Sequence, residues 1–388
     1  MRKLIALLAV LLLVPVVVFA DGGIFPDYER HIYEPDQKAL ITWDGTTETM
    51  LLATRFSSDS LGNMAWVVPL PSSAAPEVSA GNVSALTELA YYFAPAYEHR
   101  GGGGVGLGAS GAANGVEVVE IKKVDIYDVT VLKATDAKAL TDWLNANGYY
   151  VAPEYVPVIG RYVGEDRYFV ANRIDLKNKY AATLAEVKKS NSSFENLTID
   201  DQIGVLSDLI YGEKLSDVPA AEDLKYALYD LRSGMATPLK FKFTPPKPFY
   251  PLVISSLSGG STVNGGDFAL MNMMRIDVYV AAPTAVNDSS GVLEFDRALT
   301  VTDSFRSYIR NYADLGDAPV ITRLTYFGGP GGLTADAEFV PCSGCLVENP
   351  DGNTYNNGTD ELTTDAVIIA LMGLLLKFAA WTWLVFPL

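Results

Sequence analysis

Apolar positions that alternate with polar ones mark strands, and apolar positions recurring every three or four residues mark helices. The stretch "KALITWDGTTETMLLATRF", from Lys38, predicts two strands around a turn at Asp44-Gly45. "MAWVVPLP" predicts a short apolar strand ended by Pro69 and Pro71, because proline cannot donate to a ladder. "SALTELAYYFAPAY" reads as a helix capped by Ser84, with Leu86, Leu89, Ala90 and Phe93 on one face. The clearest local unit is "IYDVTVLKATDAKALTDWLNANGYYV". Its strand, residues 126–132, leads into a helix capped at Thr135 or Asp136. Ala137, Leu140, Trp143 and Leu144 recur at helical spacing, and Gly148 stands where a left-handed C-terminal cap belongs.

"VEVVEIKKVDIYDVTVL" and "DRYFVANRIDL" are strand-like, and residues 176–234 read as helical. Tyr180, Leu184 and Val187 form one stripe, and Ile203, Leu206 and Ile210 a second that ends at Gly212. Pro219 opens a third helix carrying Leu224, Ala227, Leu228 and Leu231. Strand patterns return in "PLKFKF", "YPLVISSL" and "RIDVYVAA", with "TPPKP" as a stiff turn. A last helix, residues 303–313, places Phe305, Tyr308, Ile309 and Tyr312 inward, and "VITRLTYF" and "AEFVPC" close the fold. Grouped strands and grouped helices predict an α+β fold. It has mainly antiparallel sheets and a helical segment near 176–234, followed by a C-terminal transmembrane helix.

The two ends suggest a location. Arg2 and Lys3 precede an unbroken apolar run, residues 4–19, that closes on Val18-Phe19-Ala20. This is the pattern of a signal peptide cut after Ala20, with an uncleaved anchor as the alternative. At the other end "AVIIALMGLLLKFAAWTWLVFPL" carries a single charge, Lys377, and is long enough to span a bilayer. Trp381 and Trp383 stand where indoles meet a membrane interface. A buried core helix is the alternative. The division expected is a signal peptide over 1–20 and an ectodomain over 21–345, then a polar stalk over 346–364 and a membrane helix over 365–388. Such a protein is a single-pass cell-membrane protein with its ectodomain on the extracytoplasmic side.

The formal net charge of −17 becomes −19 without residues 1–20, from 27 basic and 46 acidic side chains. Nucleic-acid binding is dominated by phosphate neutralisation, so so acidic a chain does not point to a nucleic-acid partner. Five Asn-x-Ser/Thr triplets, at Asn82, Asn191, Asn196, Asn287 and Asn357, are glycosylation acceptors if the host modifies exported proteins.

In sequence and order, "AWVVPLPSSAAPEV", "YDVTVLKATDAKALTDWLNANGY", "RYFVANRIDL", "PLKFKFTPPKPFYPLVISSLS", "DVYVAA" and "VITRLTYFGGPGGLTADAEF" resemble the prokaryotic family called domain of unknown function 2330. The resemblance runs from about Asp21 to Cys345. It implies an exported protein, often with a C-terminal membrane helix, and brings no established activity or catalytic residues. Many members begin the mature chain with Cys-Gly-Gly, where this chain has Asp21-Gly22-Gly23.

Candidate chemistry is sparse. Gly106, Gly108 and Gly111 spell G-x-G-x-x-G, but a strand-like suffix replaces the helix that a dinucleotide site needs, so residues 101–115 read as a flexible loop. The two histidines, His31 and His99, lie in no nucleophile-elbow context. "NPDGNTYNNGTDE" departs from calcium-loop spacing, so Ca²⁺ is the one cofactor considered there and a solvated stalk the plainer expectation. The acidic pairs Asp200-Asp201 and Glu222-Asp223 fall at helix starts, where the dipole favours negative charge. Cys342 and Cys345, the only cysteines, could be a redox pair, half of a zinc site or a staple. Neither opens a helix that would lower a thiol pKa, and the histidines lie far away, so an oxidising compartment favours a disulfide. The favoured expectation is a non-catalytic envelope protein that binds a partner, glycan or wall component. The alternative is an exported, carboxylate-dependent, glycosidase-like hydrolase.

Overall fold

Three sets of apolar side chains, each on one face of a sheet, organise the molecule. The computed structural model describes residues 23–26, 33–57, 64–93, 116–215, 218, 220–257 and 273–350. The first half holds β1 (Gly23–Pro26), β2 (Tyr33–Trp43), β3 (Glu48–Ser57), β4 (Met64–Pro71), β5 (Glu77–Ala80), α1 (Val83–Tyr92), β6 (Val116–Val124), β7 (Tyr127–Ala134), α2 (Ala137–Ala146) and β8 (Arg167–Ile174). Three helices follow, α3 (Lys177–Ser190), α4 (Ile199–Tyr211) and α5 (Ala221–Arg232). Then come β9 (Leu239–Phe243), β10 (Phe249–Tyr250), β11 (Met274–Ala282), β12 (Val286–Asp288), β13 (Glu294–Thr300), α6 (Asp303–Ile309), β14 (Val320–Gly328), β15 (Ala337–Pro341) and β16 (Val347–Glu348).

One sheet has the order β1-β4-β8-β7-β6, and a larger one β16-β13-β14-β11-β2-β3-β9-β5. The strands pair antiparallel except β11 with β2 and β13 with β16. Alternate residues of each strand point to opposite faces, and both sheets are covered on both. Trp66, Val68, Val129, Val131 and Val170 of the smaller sheet share a core with Ile41, Met50, Leu52, Phe241, Val278 and Val280 of the larger. The intervening residues of the smaller sheet, Ala65, Val67, Leu132 and Phe169, pack with Leu140, Trp143 and Leu144 of α2. On the far side of the larger sheet, Leu40, Leu51, Tyr279 and Ile321 pack with α1 and α6. The layers therefore run helix, sheet, sheet, helix, and α3–α5 add Leu184, Leu206, Leu224 and Leu228 to the shared core. Double coverage explains why "MAWVVPLP" is apolar at nearly every position: all eight residues of β4 are buried.

The α+β architecture and the helical segment near 176–234 are as expected. Asp136 is the N-cap of α2, its carboxylate accepting from the Ala139 N–H, and Gly148 follows with φ +83°. Three local expectations need correction. The cap of α1 is Asn82, whose side chain accepts from the Ser84 N–H, while Ser84 is buried. Tyr308 is more than a third exposed, because α6 ends at Ile309 and only Phe305 and Ile309 face the core. "YPLVISSL" is not a strand beyond Tyr250: Leu252, Val253 and Ile254 are buried in turns. An apolar run satisfies both readings, and here Pro251 and side-chain acceptors decide. The N–H groups of Val253 and Ile254 donate to Asp336 Oδ1 and the Tyr162 hydroxyl, not to a ladder.

The described residues up to Glu348 form one compact unit. Among the described residues no helix is long and apolar enough to cross a membrane. Residues 1–20, the glycine stretch 101–115, both histidines, Pro219, most of the stalk and residues 365–388 lie outside the described residues.

Candidate functional site

The turn between β2 and β3 is held by its own side chain. Asp44 Oδ1 accepts from the N–H groups of Thr46 (2.9 Å) and Thr47 (2.7 Å), and Gly45 takes φ +104°, a conformation that L side chains rarely adopt. The Thr47 and Thr46 amides hold the Asp44 carboxyl below the usual range. This stiff tip carries Trp43, and clefts open on both sides of it.

One cleft, about 1050 Å³, lies by the ends of β2, β3, β9 and β5 and the loop 312–319. Leu40, Thr42, Thr49, Leu51, Lys240 and Lys242 line it, with Trp43 and Tyr312 among its aromatic walls. The lysines are exposed because β9 alternates, burying Leu239, Phe241 and Phe243 instead. Lys242 reaches Glu77 at 3.3 Å, whereas Lys240 makes no ion pair among the described residues.

A second cleft, about 470 Å³, shares Trp43 with the first and includes Pro71, Asp166, Arg167 and Pro246. A third, about 400 Å³, shares Pro71, Arg167 and Pro246 with the second and adds Arg161, Lys247, Asp336 and Glu338. Shared walls make the three neighbours: Trp43 stands between the first and second, and Pro71, Arg167 and Pro246 between the second and third. Tertiary folding alone brings together the hairpin tip, the 244–247 turn, the start of β8 and the approach to β15.

Asp336, on the wall of the third cleft, is bonded to the buried Tyr162 behind it. Tyr162 donates to Asp336 Oδ1 at 2.5 Å, and the same oxygen accepts from Val253 N–H at 2.7 Å. Burial pushes the Asp336 carboxyl above its ordinary value despite those bonds, and pushes the Tyr162 phenol up as well. Glu338, two residues further along, pairs with Lys247 at 2.6 Å. Asp-x-Glu entering a strand puts both carboxyls on one face. That period-2 pattern is the only trace of this site in the sequence, and it was missed.

The residues singled out from sequence lie elsewhere. Cys342 and Cys345 are at disulfide distance, Cα–Cα 5.5 Å, in the turn after β15. Asn82 lines the first cleft and caps α1. Asn191 ends α3, its side chain accepting from the Ser193 N–H. Asn196 ends a short 3-10 turn, Asn287 stands in β12, and Asn357 lies outside the described residues. Asp200 and Asp201 open α4 and Glu222 and Asp223 open α5; Asp200 pairs with Arg232 and Glu222 with Lys225. Among the described residues no three His, Cys, Asp or Glu side chains converge to hold a metal ion. The candidate calcium segment falls almost wholly outside those residues.

Residues 17–193 match the model of a family described as an uncharacterized protein conserved in bacteria, DUF2330. The match covers the β1–α3 half of the segments that carried the resemblance. Neither the curated proteins nor the solved structures yield a match.

Proposed function

From the match of residues 17–193 to the bacterial family DUF2330 and the clefts above, we propose an exported, membrane-anchored envelope protein whose ectodomain binds an extended glycan or wall component without transforming it. The observation that carries the binding half is the succession of three neighbouring open clefts that share Trp43 and then Arg167 as walls. A run of adjacent clefts suits a chain-like ligand better than a compact one. Trp43 and Tyr312 offer apolar faces to sugar rings, while Thr42, Thr49 and Lys240 offer polar partners at the floor. The apolar runs at residues 4–19 and 366–388 support export and a C-terminal tether.

The test is retention of purified full-length chain, in detergent, on isolated cell-wall polymer. Trp43→Ala, with its fold checked by circular dichroism, should weaken retention about tenfold, equivalent to about 1.4 kcal/mol. Equal retention of the variant and wild type would sink the cleft assignment. The hydrolase alternative is favoured by one observation: Asp336, its carboxyl raised by burial, shares a cleft with Glu338. It requires release of soluble fragments from the same polymer, abolished in Asp336→Asn. Against it, Asp336 already serves the fold by accepting from Val253 N–H.

A further inference from the structure

We propose that Arg161 and Arg167 form an oxyanion subsite in the third cleft, so that the bound polymer carries carboxylate or phosphate groups. The inference rests on the binding function above and narrows its ligand class.

The ionic balance of the cleft points to it. The cleft gathers three cations, Arg161, Arg167 and Lys247, in a chain with 46 acidic and only 29 basic side chains. Lys247 is already matched by Glu338 at 2.6 Å. Asp336 Oδ1 is engaged by the Tyr162 hydroxyl and the Val253 N–H. Among the described residues neither arginine makes an ion pair; Arg161 spends one N–H on the Thr334 carbonyl at 3.3 Å. Asp336 feels the charges of both arginines without forming an ion pair with either, so two guanidinium groups with most of their donors unspent border a space of about 400 Å³.

The backbone sets their spacing. Arg161 stands in the 3-10 turn Gly160–Tyr162, whose Tyr162 ring is buried, and Arg167 is the first residue of β8, opposite Pro71. Both are therefore anchored to regular structure rather than to a free loop. A guanidinium presents a planar fork of donors that matches carboxylate and phosphate oxygens two at a time. Arg167 also walls the second cleft, so a polymer running from the Trp43 side reaches the arginines next.

Calorimetry on the full-length chain in detergent separates the possibilities. The probes are oligogalacturonate for carboxylate, linear polyphosphate for phosphate and a neutral glucan oligomer of equal length. Wild type should bind one anionic probe at least about tenfold more tightly than the neutral one, with affinity falling as salt is added. Arg161→Gln/Arg167→Gln should lose about tenfold or more, while Lys138→Gln/Lys189→Gln, with the same charge change at exposed helix positions, should bind like wild type. Which anionic probe wins identifies the oxyanion. If the neutral oligomer binds as tightly and the arginine pair makes no difference, the subsite falls and the binding function stands. If no probe binds, both fall. Should the double variant fail to fold, Arg161→Gln alone, at an exposed position, carries the same comparison.

Discussion

Glu48 is a carboxylic acid taken wholly out of water. It is fully buried at the start of β3, with Oε2 accepting from the Phe249 N–H at 2.7 Å and Oε1 without a hydrogen-bond partner among the described residues. Desolvation holds its carboxyl well above the ordinary value of 4.5. Because the folded pKa exceeds the unfolded one, the stability tied to the neutral acid is fully present below about pH 4.5 and is lost as pH rises through the folded pKa. Glu48→Gln keeps the acceptor for Phe249 and cannot ionise. Thermal unfolding should therefore fall less steeply with rising pH in this variant than in wild type above pH 4.5. Parallel curves would show that Glu48 is not the group responsible. Asp288 shows the opposite solution to burial: its carboxylate accepts from the N–H groups of Ser290, Val292, Leu293 and Glu338. Neither environment is visible in the sequence, where both are acidic residues beside a turn.

At the scale of elements, legibility follows the range of the interactions that form each one. The β7–α2 unit was readable because its signals are local: an acidic cap, a helical stripe and a glycine at positive φ. Strands β1, β5 and β13 went unread because their partners are distant. β1 pairs with β4 some 40 positions on, and four-residue β5 exists because β9 offers it an edge. The glycines of "FGGPGG" likewise gain their reason from tertiary contact. A Cβ at Gly328 or Gly332 would run into the Tyr326 phenol, whose hydroxyl donates to the Gly329 carbonyl. Phe241 of β9 illustrates what holds the two sheets together. Its ring meets Trp66 of the other sheet edge-on, with centroids 6.2 Å apart, and it is fully buried. Phe241→Ala should cost about 3–5 kcal/mol, the range for a large aromatic removed from a packed core. Chemical denaturation measures it, and a loss below about 1 kcal/mol would mean that the sheets do not depend on this contact.

For the whole molecule, the layered packing explains both the success and the limits of pattern reading. Sheets covered on both faces lose the simple alternation that exposes one face, so their strands are found as apolar runs whose order cannot be told. The proposed topology in the envelope predicts that protease treatment of intact cells releases a fragment containing the β1–β16 unit. Complete protection of that unit in intact cells, with cleavage after lysis, would overturn the extracytoplasmic placement.

The sequence by itself determined the α+β class, the three-helix segment, the β7–α2 unit and the resemblance to DUF2330, which the family model matches over residues 17–193, because local periodicity, caps and motif order depend only on neighbours along the chain. It also raised the expectation of a closed Cys342–Cys345 turn, whose two residues stand at disulfide distance. Tertiary structure alone decided that "YPLVISSL" leaves its strand for turns after Tyr250, and that Trp43, Arg167 and Asp336 line neighbouring clefts. Those residues are separated by more than a hundred positions each. Only the packing of one sheet on the other makes them neighbours, so no local pattern could announce them.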